Sequence, residues 1–185
     1  MFGPDLAAGS SPQGHVVLGI DPGLTRCGYA VLRVEGAQAV RALSLGVVRT
    51  PADTALPERL AMLSREIGEL ISEFRPSAVA VEQVFFQSNV RTAMSVGQAS
   101  GVVLALAAAN GCTVAQYTPS QVKNTVAGWG GAGKDQVQRM VQQRLGLTAV
   151  PRPADAADAA AIALCHASVA PFVDRRDQAL ARGRQ

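Results

Sequence analysis

The chain has 185 residues, with 17 lysines and arginines against 14 aspartates and glutamates, 48% hydrophobic residues and 4% aromatic residues. This length and apolar content favour a single domain with its own hydrophobic core, and they exclude a disordered chain or a small disulfide-stapled module. A net charge of +3 is too small to establish nucleic-acid binding. No apolar run reaches the roughly 18 residues of a membrane span, so we expect no membrane association.

Segments rich in β-branched residues alternate along the chain with segments of helical periodicity. In chain order, the predicted elements are strands at 16–20, 27–34 and 39–48, a helix at 56–74, a strand at 77–81, a helix at 89–110, a strand at 113–117, a helix starting at 118–121, and helices at 134–145 and 153–169. Turn and cap residues separate them, such as Arg75-Pro76 and Asn110-Gly111 after the first two helices. This order predicts an α/β fold in which a mixed five-stranded sheet carries helices on both faces.

The two ends of the chain carry no strong pattern of regular structure. Residues 1–14 lack the charged and apolar regions of a signal peptide, so we predict a flexible leader and a cytoplasmic protein. For residues 171–185, which contain several arginines, we predict a flexible basic tail. The folded domain is therefore expected to cover residues 15–170.

The cysteines and histidines do not form a metal-ligand pattern. Cys27, Cys112 and Cys165 are far apart and lie in apolar surroundings, which indicates reduced packing thiols of an intracellular protein and excludes a zinc knuckle. His15 and His166 show no ligand spacing with each other, and we interpret both as structural.

Four acidic residues stand where a site could form. Asp21 and Glu82 each follow a predicted buried strand, at the end of an open α/β sheet where ligands usually bind. Asp155 and Asp158 are three residues apart on one helix face, with alanines beside them that would allow close approach to a sheet. A turn or cap role for each strand-end acid, and a helix-dipole role for Asp155, remain open.

If the last helix packs across the strand ends, these carboxylates converge, and their repulsion must be offset by a cation. Oxygen ligands without a cysteine or histidine cluster favour magnesium or manganese over zinc. Two such ions can activate a water and stabilise the leaving oxygen of a phosphodiester. The pattern therefore favours a nuclease.

Six segments of the chain carry motifs that are recognisable together. They are Leu18-Gly19-Ile20-Asp21-Pro22-Gly23, Gly28-Tyr29, Val81-Glu82-Gln83-Val84-Phe85, Gly97-Gln98-Ala99-Ser100-Gly101, Gln121-Val122-Lys123 and Ala154-Asp155-Ala156-Ala157-Asp158-Ala159. In order and spacing they closely resemble the RuvC family of Holliday-junction resolvases, over about residues 15–170. The resemblance implies an RNase H-like fold and a homodimeric, divalent-metal-dependent endonuclease that nicks two opposed strands of a four-way DNA junction symmetrically, during recombination and repair.

The resemblance also implies roles for single residues. The family's acidic tetrad falls on Asp21, Glu82, Asp155 and Asp158, which we expect to bind two Mg²⁺ ions, with Mn²⁺ able to substitute, and to yield 5′-phosphate and 3′-hydroxyl ends. The RuvA–RuvB branch-migration complex is the expected partner. No residue of this chain can be assigned to that contact.

The chain contains two lysines, Lys123 and Lys134, and both match basic positions of the family near the scissile phosphate. Each can place a point charge on a phosphate oxygen, although a solvated surface lysine is the alternative. Phe85 and Phe86 follow Glu82, and one ring could stack on an unpaired base at the junction centre. The resemblance favours Phe85, while core packing of one or both rings remains open.

Two glycine patterns have alternative interpretations. Residues 128–134 nearly match the sequence pattern of a phosphate-binding P-loop. However, Asp135 replaces the required Ser or Thr, and a predicted helix precedes the loop. A loop beside the DNA therefore fits better. Gly97 and Gly101 lie four residues apart on the second predicted helix. The resemblance places a dimer contact there, and core packing against the sheet is an equally good interpretation.

Three other functions are weighed against the resolvase. An actin-like phosphotransferase shares the Gly19-Ile20-Asp21 opening, but the chain is too short for the second half that such enzymes need. Another RNase H-like nuclease with a different branched DNA substrate would need the same acidic residues. A non-catalytic junction-binding protein is disfavoured, because four carboxylates facing DNA weaken binding unless metals are recruited.

Overall fold

The computed structural model of the protein describes residues 14–35, 39–83 and 90–182. Its elements are β1 His15–Asp21, β2 Arg26–Glu35, β3 Ala39–Arg49, α1 Leu56–Phe74, β4 Ala78–Glu82, α2 Val90–Ala109, β5 Thr113–Tyr117, α3 Pro119–Ala127, α4 Lys134–Arg144 and α5 Ala154–Arg182. Every predicted strand and helix is present in the predicted order.

The five strands form one mixed sheet in the order β3-β2-β1-β4-β5. The pairs β1–β2 and β2–β3 are antiparallel, whereas β1–β4 and β4–β5 are parallel. The strand β1 therefore lies at the centre, and its carboxyl end shares one edge of the sheet with the carboxyl ends of β4 and β5. The predicted mixed five-stranded sheet is confirmed.

Side chains on the two faces of the sheet enter two separate cores, because successive residues of a strand point to opposite sides. On one face, Leu18 and Val79 pack with buried residues of α1 and α2. On the other face, Val17 and Ala80 pack with α3, α4 and the alanine-rich part of α5. The helices thus cover both faces of the sheet, as predicted.

The helix α5 lies unusually close to β1 and β2, because both strands present a glycine to it. A Cβ atom on Gly19 would collide with the carbonyl oxygen of Ala159 and would stand 2.7 Å from the Cβ of Ala163. A Cβ atom on Gly28 would collide with the carbonyl oxygen of Asp155. The backbone of α5 therefore rests directly on the two central strands, and its start is fixed at their ends.

The helix α5 is longer than its pattern predicts. The sequence predicted its end near Val169 and a flexible tail from residue 171, whereas the structure continues the helix to Arg182. Residues 172–182 include three arginines, two alanines, a leucine and a glutamine, whose helix propensity favours this continuation. The predicted leader lies outside the described residues, apart from Gly14, so the division into leader, domain and tail stays a prediction.

The close packing at Gly19 can be tested with Gly19→Ala. The added methyl group must push α5 away from β1, and overpacking of this kind costs about 1–3 kcal/mol, or roughly 3–10 °C in melting temperature. The matched control is Gly68→Ala on α1, where a Cβ would meet nothing within 4 Å. That control should stabilise the protein by about 0.5–1 kcal/mol, because alanine loses less entropy in a helix than glycine. Equal melting temperatures for the two variants would contradict the packing described here.

Candidate active site

The first two acidic residues end neighbouring strands. In the parallel pair of β1 and β4, Ile20 lies opposite Val81, so Asp21 and Glu82 follow at the same level of the same sheet edge. Both carboxylates are only partly exposed. The strand registers therefore bring these two side chains together, as their positions in the sequence predicted.

The other two acidic residues are brought to this edge by the start of α5. The first turn of α5 lies over Gly28, which pairs with Asp21 across β1 and β2. Asp155 therefore lies beside the end of β1, and Asp158 is one turn further along the helix. The sequence predicts that the four carboxylates converge if the last helix packs across the strand ends. The structure shows this packing.

Burial and mutual repulsion act most strongly on Asp21. Its pKa is raised from 3.8 to about 7, first by burial and then by the negative charges of Glu82, Asp158 and Asp155, with a smaller opposing effect of Lys134. The central carboxylate of the cluster is thus poorly able to hold its charge in the absence of a compensating cation.

Glu82 is affected in the same direction. Burial raises the pKa of Glu82, and the charge of Asp158 adds to this, while Lys123 and Lys134 oppose it. Two lysines from different helices therefore lie within electrostatic reach of the carboxylate at the end of β4.

Asp155 is neutralised by an arginine. The Arg26 side chain donates from Nε and from Nη2 to Oδ2 of Asp155, the first of these at 3.1 Å. These bonds lower the pKa of Asp155 below its usual value. No local sequence signal points to this partner, because Arg26 is an ordinary strand residue separated from Asp155 by 129 positions.

Asp158 is paired with a lysine. The Nζ of Lys134 donates to Oδ2 of Asp158 at 2.7 Å, and this bond raises the pKa of Lys134. A lysine predicted to contact DNA therefore lies within the acidic cluster itself.

The donor set suits a hard divalent cation, because it consists of carboxylate oxygens with no thiol or imidazole among them. In the described part of the chain, however, no three acidic, histidine or cysteine side chains are arranged to hold one metal ion as they stand. Asp155 and Asp158 instead face Arg26 and Lys134. A bound cation would therefore compete with these two basic side chains for the same oxygens.

The helices α3 and α4 position the two lysines. A capping box between Thr118 and Gln121 fixes the start of α3, and the half-buried Lys123 lies in its next turn. Lys134 is the first residue of α4, after the N-cap Gly133. The structure thus brings both predicted lysines to the acidic edge, while their contact with DNA stays a prediction.

Phe85 and Phe86 lie outside the described residues. They follow β4 by three and four positions in the sequence, close to Glu82. Their predicted stacking on DNA therefore stays a prediction.

The predicted structural histidine His166 and the three cysteines are separate from the four carboxylates, although Cys27 is close enough to Asp21 and Asp155 to feel their charges. His166 is buried, and its Nδ1 is 2.9 Å from the hydroxyl of Tyr117. Cys27, Cys112 and Cys165 are free thiols, and burial raises the pKa of Cys27 to about 12. A thiol of this kind stays protonated at neutral pH and serves in packing.

Comparison with known proteins decides the family. The family model described as crossover junction endodeoxyribonuclease RuvC matches residues 17–166. This chain belongs to the RuvC family. Membership confirms the predicted resemblance and the class of enzyme, an endonuclease, and RuvC-family nucleases depend on divalent metal ions.

Individual relatives cover almost the whole domain. The RuvC of Moorella thermoacetica is 49% identical and the alignment covers 90% of this chain and 99% of the relative. The RuvC of Natranaerobius thermophilus is 47% identical, over 82% of this chain and 93% of the relative. The solved structure of Thermus thermophilus RuvC in complex with a Holliday junction substrate has a TM-score of 0.81 and 44% identity, covering 85% of this chain and 96% of that one.

A more distant structure supports the fold alone. The yeast mitochondrial Holliday junction resolvase Ydc2 is 17% identical, with a TM-score of 0.62 over 87% of this chain and 82% of that one. Together with the structure of the Thermus thermophilus relative, this match confirms the RNase H-like fold predicted from the resemblance. Within the described ranges, every helix is too short or too polar to form a transmembrane span.

The raised pKa of Asp21 predicts a stability cost that Asp21→Asn removes. Because the folded-state pKa of about 7 lies above the usual value of 3.8, the charged carboxylate destabilises the folded, metal-free protein above pH 7. This cost shrinks as the pH falls from 7 towards 4, and it disappears below the usual pKa of 3.8, where the carboxyl is protonated in both states. In EDTA at pH 8, Asp21→Asn should therefore melt at least about 2–4 °C above the wild type, which corresponds to about 1 kcal/mol.

The control for this measurement is Asp53→Asn, which changes an exposed loop carboxylate. It should leave the melting temperature unchanged across the same pH range. A gain for Asp21→Asn that is as large at pH 4 as at pH 8 would show that the effect does not come from the charge of Asp21.

Proposed function

We propose that this protein resolves four-way DNA junctions by nicking two opposed strands, leaving 5′-phosphate and 3′-hydroxyl ends. The observation that carries the proposal is the convergence of four carboxylates at one sheet edge in a chain of the RuvC family: Asp21, Glu82, Asp155 and Asp158. The Holliday junction substrate of the Thermus thermophilus relative supports the choice of DNA. Recombination and DNA repair in the cytoplasm are the proposed setting.

The four carboxylates would hold two Mg²⁺ ions, for which Mn²⁺ can substitute. When bound, such ions supply an activated water and stabilise the leaving oxygen of the phosphodiester. Asp21 must lose its proton to act as a ligand, because its pKa of about 7 leaves it partly protonated at neutral pH. The hydrogen bonds from Arg26 lower the pKa of Asp155, so this carboxylate needs no such proton loss, and Asp158 accepts a hydrogen bond from Lys134.

The basic side chains around the acids would bind the DNA backbone. Lys123 acts on Glu82 from α3, and Lys134 contacts Asp158 from α4. A phosphate placed over the acidic edge would therefore meet a lysine from each helix. Phe85 or Phe86 is proposed to stack on an unpaired base at the junction centre, with Phe85 favoured by the resemblance.

A homodimer would supply the second active site for symmetric nicking. On α2, a Cβ added to Gly97 or Gly101 would meet nothing within 4 Å, and Met94 is 58% exposed. The two glycines therefore do not pack against the sheet, and core packing does not explain them. We propose that a second copy of the chain covers this face of α2. The RuvA–RuvB branch-migration complex is proposed as a further partner, from the resemblance.

A P-loop phosphate site at residues 128–134 is not supported. A P-loop lysine follows a strand and a glycine-rich loop, whereas α3 precedes the loop at 128–133. The side chain of Lys134 is also bound to Asp158. A nuclease with another branched substrate would use the same acidic edge, so substrate preference must be measured.

Cleavage of a labelled four-way junction, beside a linear duplex and a flap, tests the function. With Mg²⁺ or Mn²⁺ we expect paired symmetric nicks confined to the junction and abolished by EDTA. Glu82→Gln should lose cleavage at least about 100-fold, or roughly 2.7 kcal/mol of transition-state stabilisation, while junction binding persists. The control Glu66→Gln removes an exposed carboxylate of α1 and should cleave like the wild type.

The other outcomes assign the site differently. Equal cutting of the three substrates would identify a nuclease that does not select junctions. Tight junction binding without metal-dependent cutting would identify a binding protein. Normal cleavage by Glu82→Gln would exclude this carboxylate from the chemistry.

Removal of the Lys123 charge should weaken DNA binding in a salt-dependent way. Each phosphate contact contributes about one unit to the slope of log affinity against log salt, so Lys123→Ala should reduce that slope by about one. The control Arg65→Ala removes an exposed cation on α1 and should leave the slope unchanged. A lowered melting temperature with an unchanged slope would instead make Lys123 a structural residue.

A further inference from the structure

The loop between α3 and α4 carries an exposed aromatic side chain that the proposed mechanism does not use. Trp129 is the single tryptophan of the chain, and 55% of its surface is exposed. The other large hydrophobic residues that are exposed in the described ranges are aliphatic, whereas Trp129 is aromatic. A large exposed ring costs solvation free energy, and it recurs at sites that bind a partner.

The loop holds the indole in a defined place. A Cβ on Gly131 would stand 2.8 Å from Cε3 of Trp129. The indole ring therefore lies against the Gly131 backbone, where the side chain of any other residue at position 131 would collide with it. The indole N–H donates to Oε1 of Gln136 at 3.4 Å. Ala132, which is 1% exposed, anchors the loop in the core. The ring is thus supported on one side while more than half of its surface stays accessible.

The surroundings of the ring favour nucleic acid as its partner. Trp129 lies between the two lysines of the chain, six residues after Lys123 and five before Lys134. The amino group of Lys134 reaches Asp158 in the acidic cluster. Five residues span at most about 18 Å, which corresponds to about five nucleotides along one DNA strand. The loop therefore holds Trp129 within the length of about five nucleotides of the lysine that contacts the acidic cluster.

We propose that Trp129 is a substrate-binding residue that stacks on an unpaired nucleotide of the DNA near the strand being cut. Aromatic faces bind unpaired bases with little sequence preference, and neighbouring lysines hold the phosphates. This inference rests on the proposed function, because it needs DNA at the acidic edge. It adds a contact on the side of α3 and α4 that the acidic cluster and the two lysines do not provide.

Intrinsic fluorescence tests the proposal directly, because Trp129 is the only tryptophan. The full-length chain is titrated with an unlabelled four-way junction in EDTA, which prevents cleavage, and binding is followed in parallel by the anisotropy of a labelled junction. We expect the tryptophan emission to be quenched along the same binding curve, and acrylamide to quench the bound protein less than the free protein.

Variants provide an independent measurement. Trp129→Ala should weaken junction binding about 10-fold, and Trp129→Phe should restore most of the affinity, because phenylalanine keeps an aromatic face. The control Leu56→Ala removes an exposed apolar side chain at the start of α1 and should bind like the wild type. The melting temperature of Trp129→Ala should stay close to that of the wild type, because the ring is not part of the core.

The outcomes separate this inference from the proposed function. If the wild type binds the junction while its emission is unchanged and Trp129→Ala binds equally well, the inference is wrong and the proposed function stands. If Trp129→Phe binds as weakly as Trp129→Ala, aromatic stacking is wrong. If the wild type neither binds nor cleaves junctions, the proposed function fails first, and Trp129 would then mark a surface for a protein partner.

Discussion

The contact between the start of α5 and the two central strands determines the rest of the site. Gly19 and Gly28 allow the helix backbone to rest directly on β1 and β2, and the alanines of α5 add almost no side-chain thickness. Any larger residue at these glycines would lift the helix and carry Asp155 and Asp158 away from Asp21. Small residues in the core therefore act on function, because they set the separation between carboxylates that belong to distant parts of the chain.

This packing creates an electrostatic cost that the same elements partly offset. Four carboxylates at one edge repel one another, and burial raises the pKa of Asp21 to about 7. The outer acids each gain a basic partner, Arg26 for Asp155 and Lys134 for Asp158. The innermost acid has the most strongly raised pKa of the acidic residues and gains most from a bound cation. Metal binding and stability are therefore coupled through one side chain.

Much of this arrangement could be predicted from the sequence, for identifiable reasons. Strand ends and helix faces follow from local periodicity. The sequence therefore predicts that Asp21 and Glu82 stand at strand ends. It also predicts that Asp155 and Asp158 share one helix face. The pairing of Arg26 with Asp155 was not, since no local pattern links residues 129 positions apart. The continuation of α5 beyond Pro171 was also missed, because a proline and a change to charged composition normally indicate the end of a helix.

The placement of basic residues explains how an acidic site can face a polyanion in a chain whose net charge is only +3. Four carboxylates alone would repel DNA from this edge. Arg26 from β2 and Lys134 from α4 pair with two of these carboxylates, and the charge of Lys123 from α3 acts on Glu82, so the local potential is set by these neighbours and not by the sum over the surface. The net charge alone is therefore uninformative about nucleic acid, whereas the structure brings the two lysines of the chain to the acidic edge, where their contact with DNA stays a prediction.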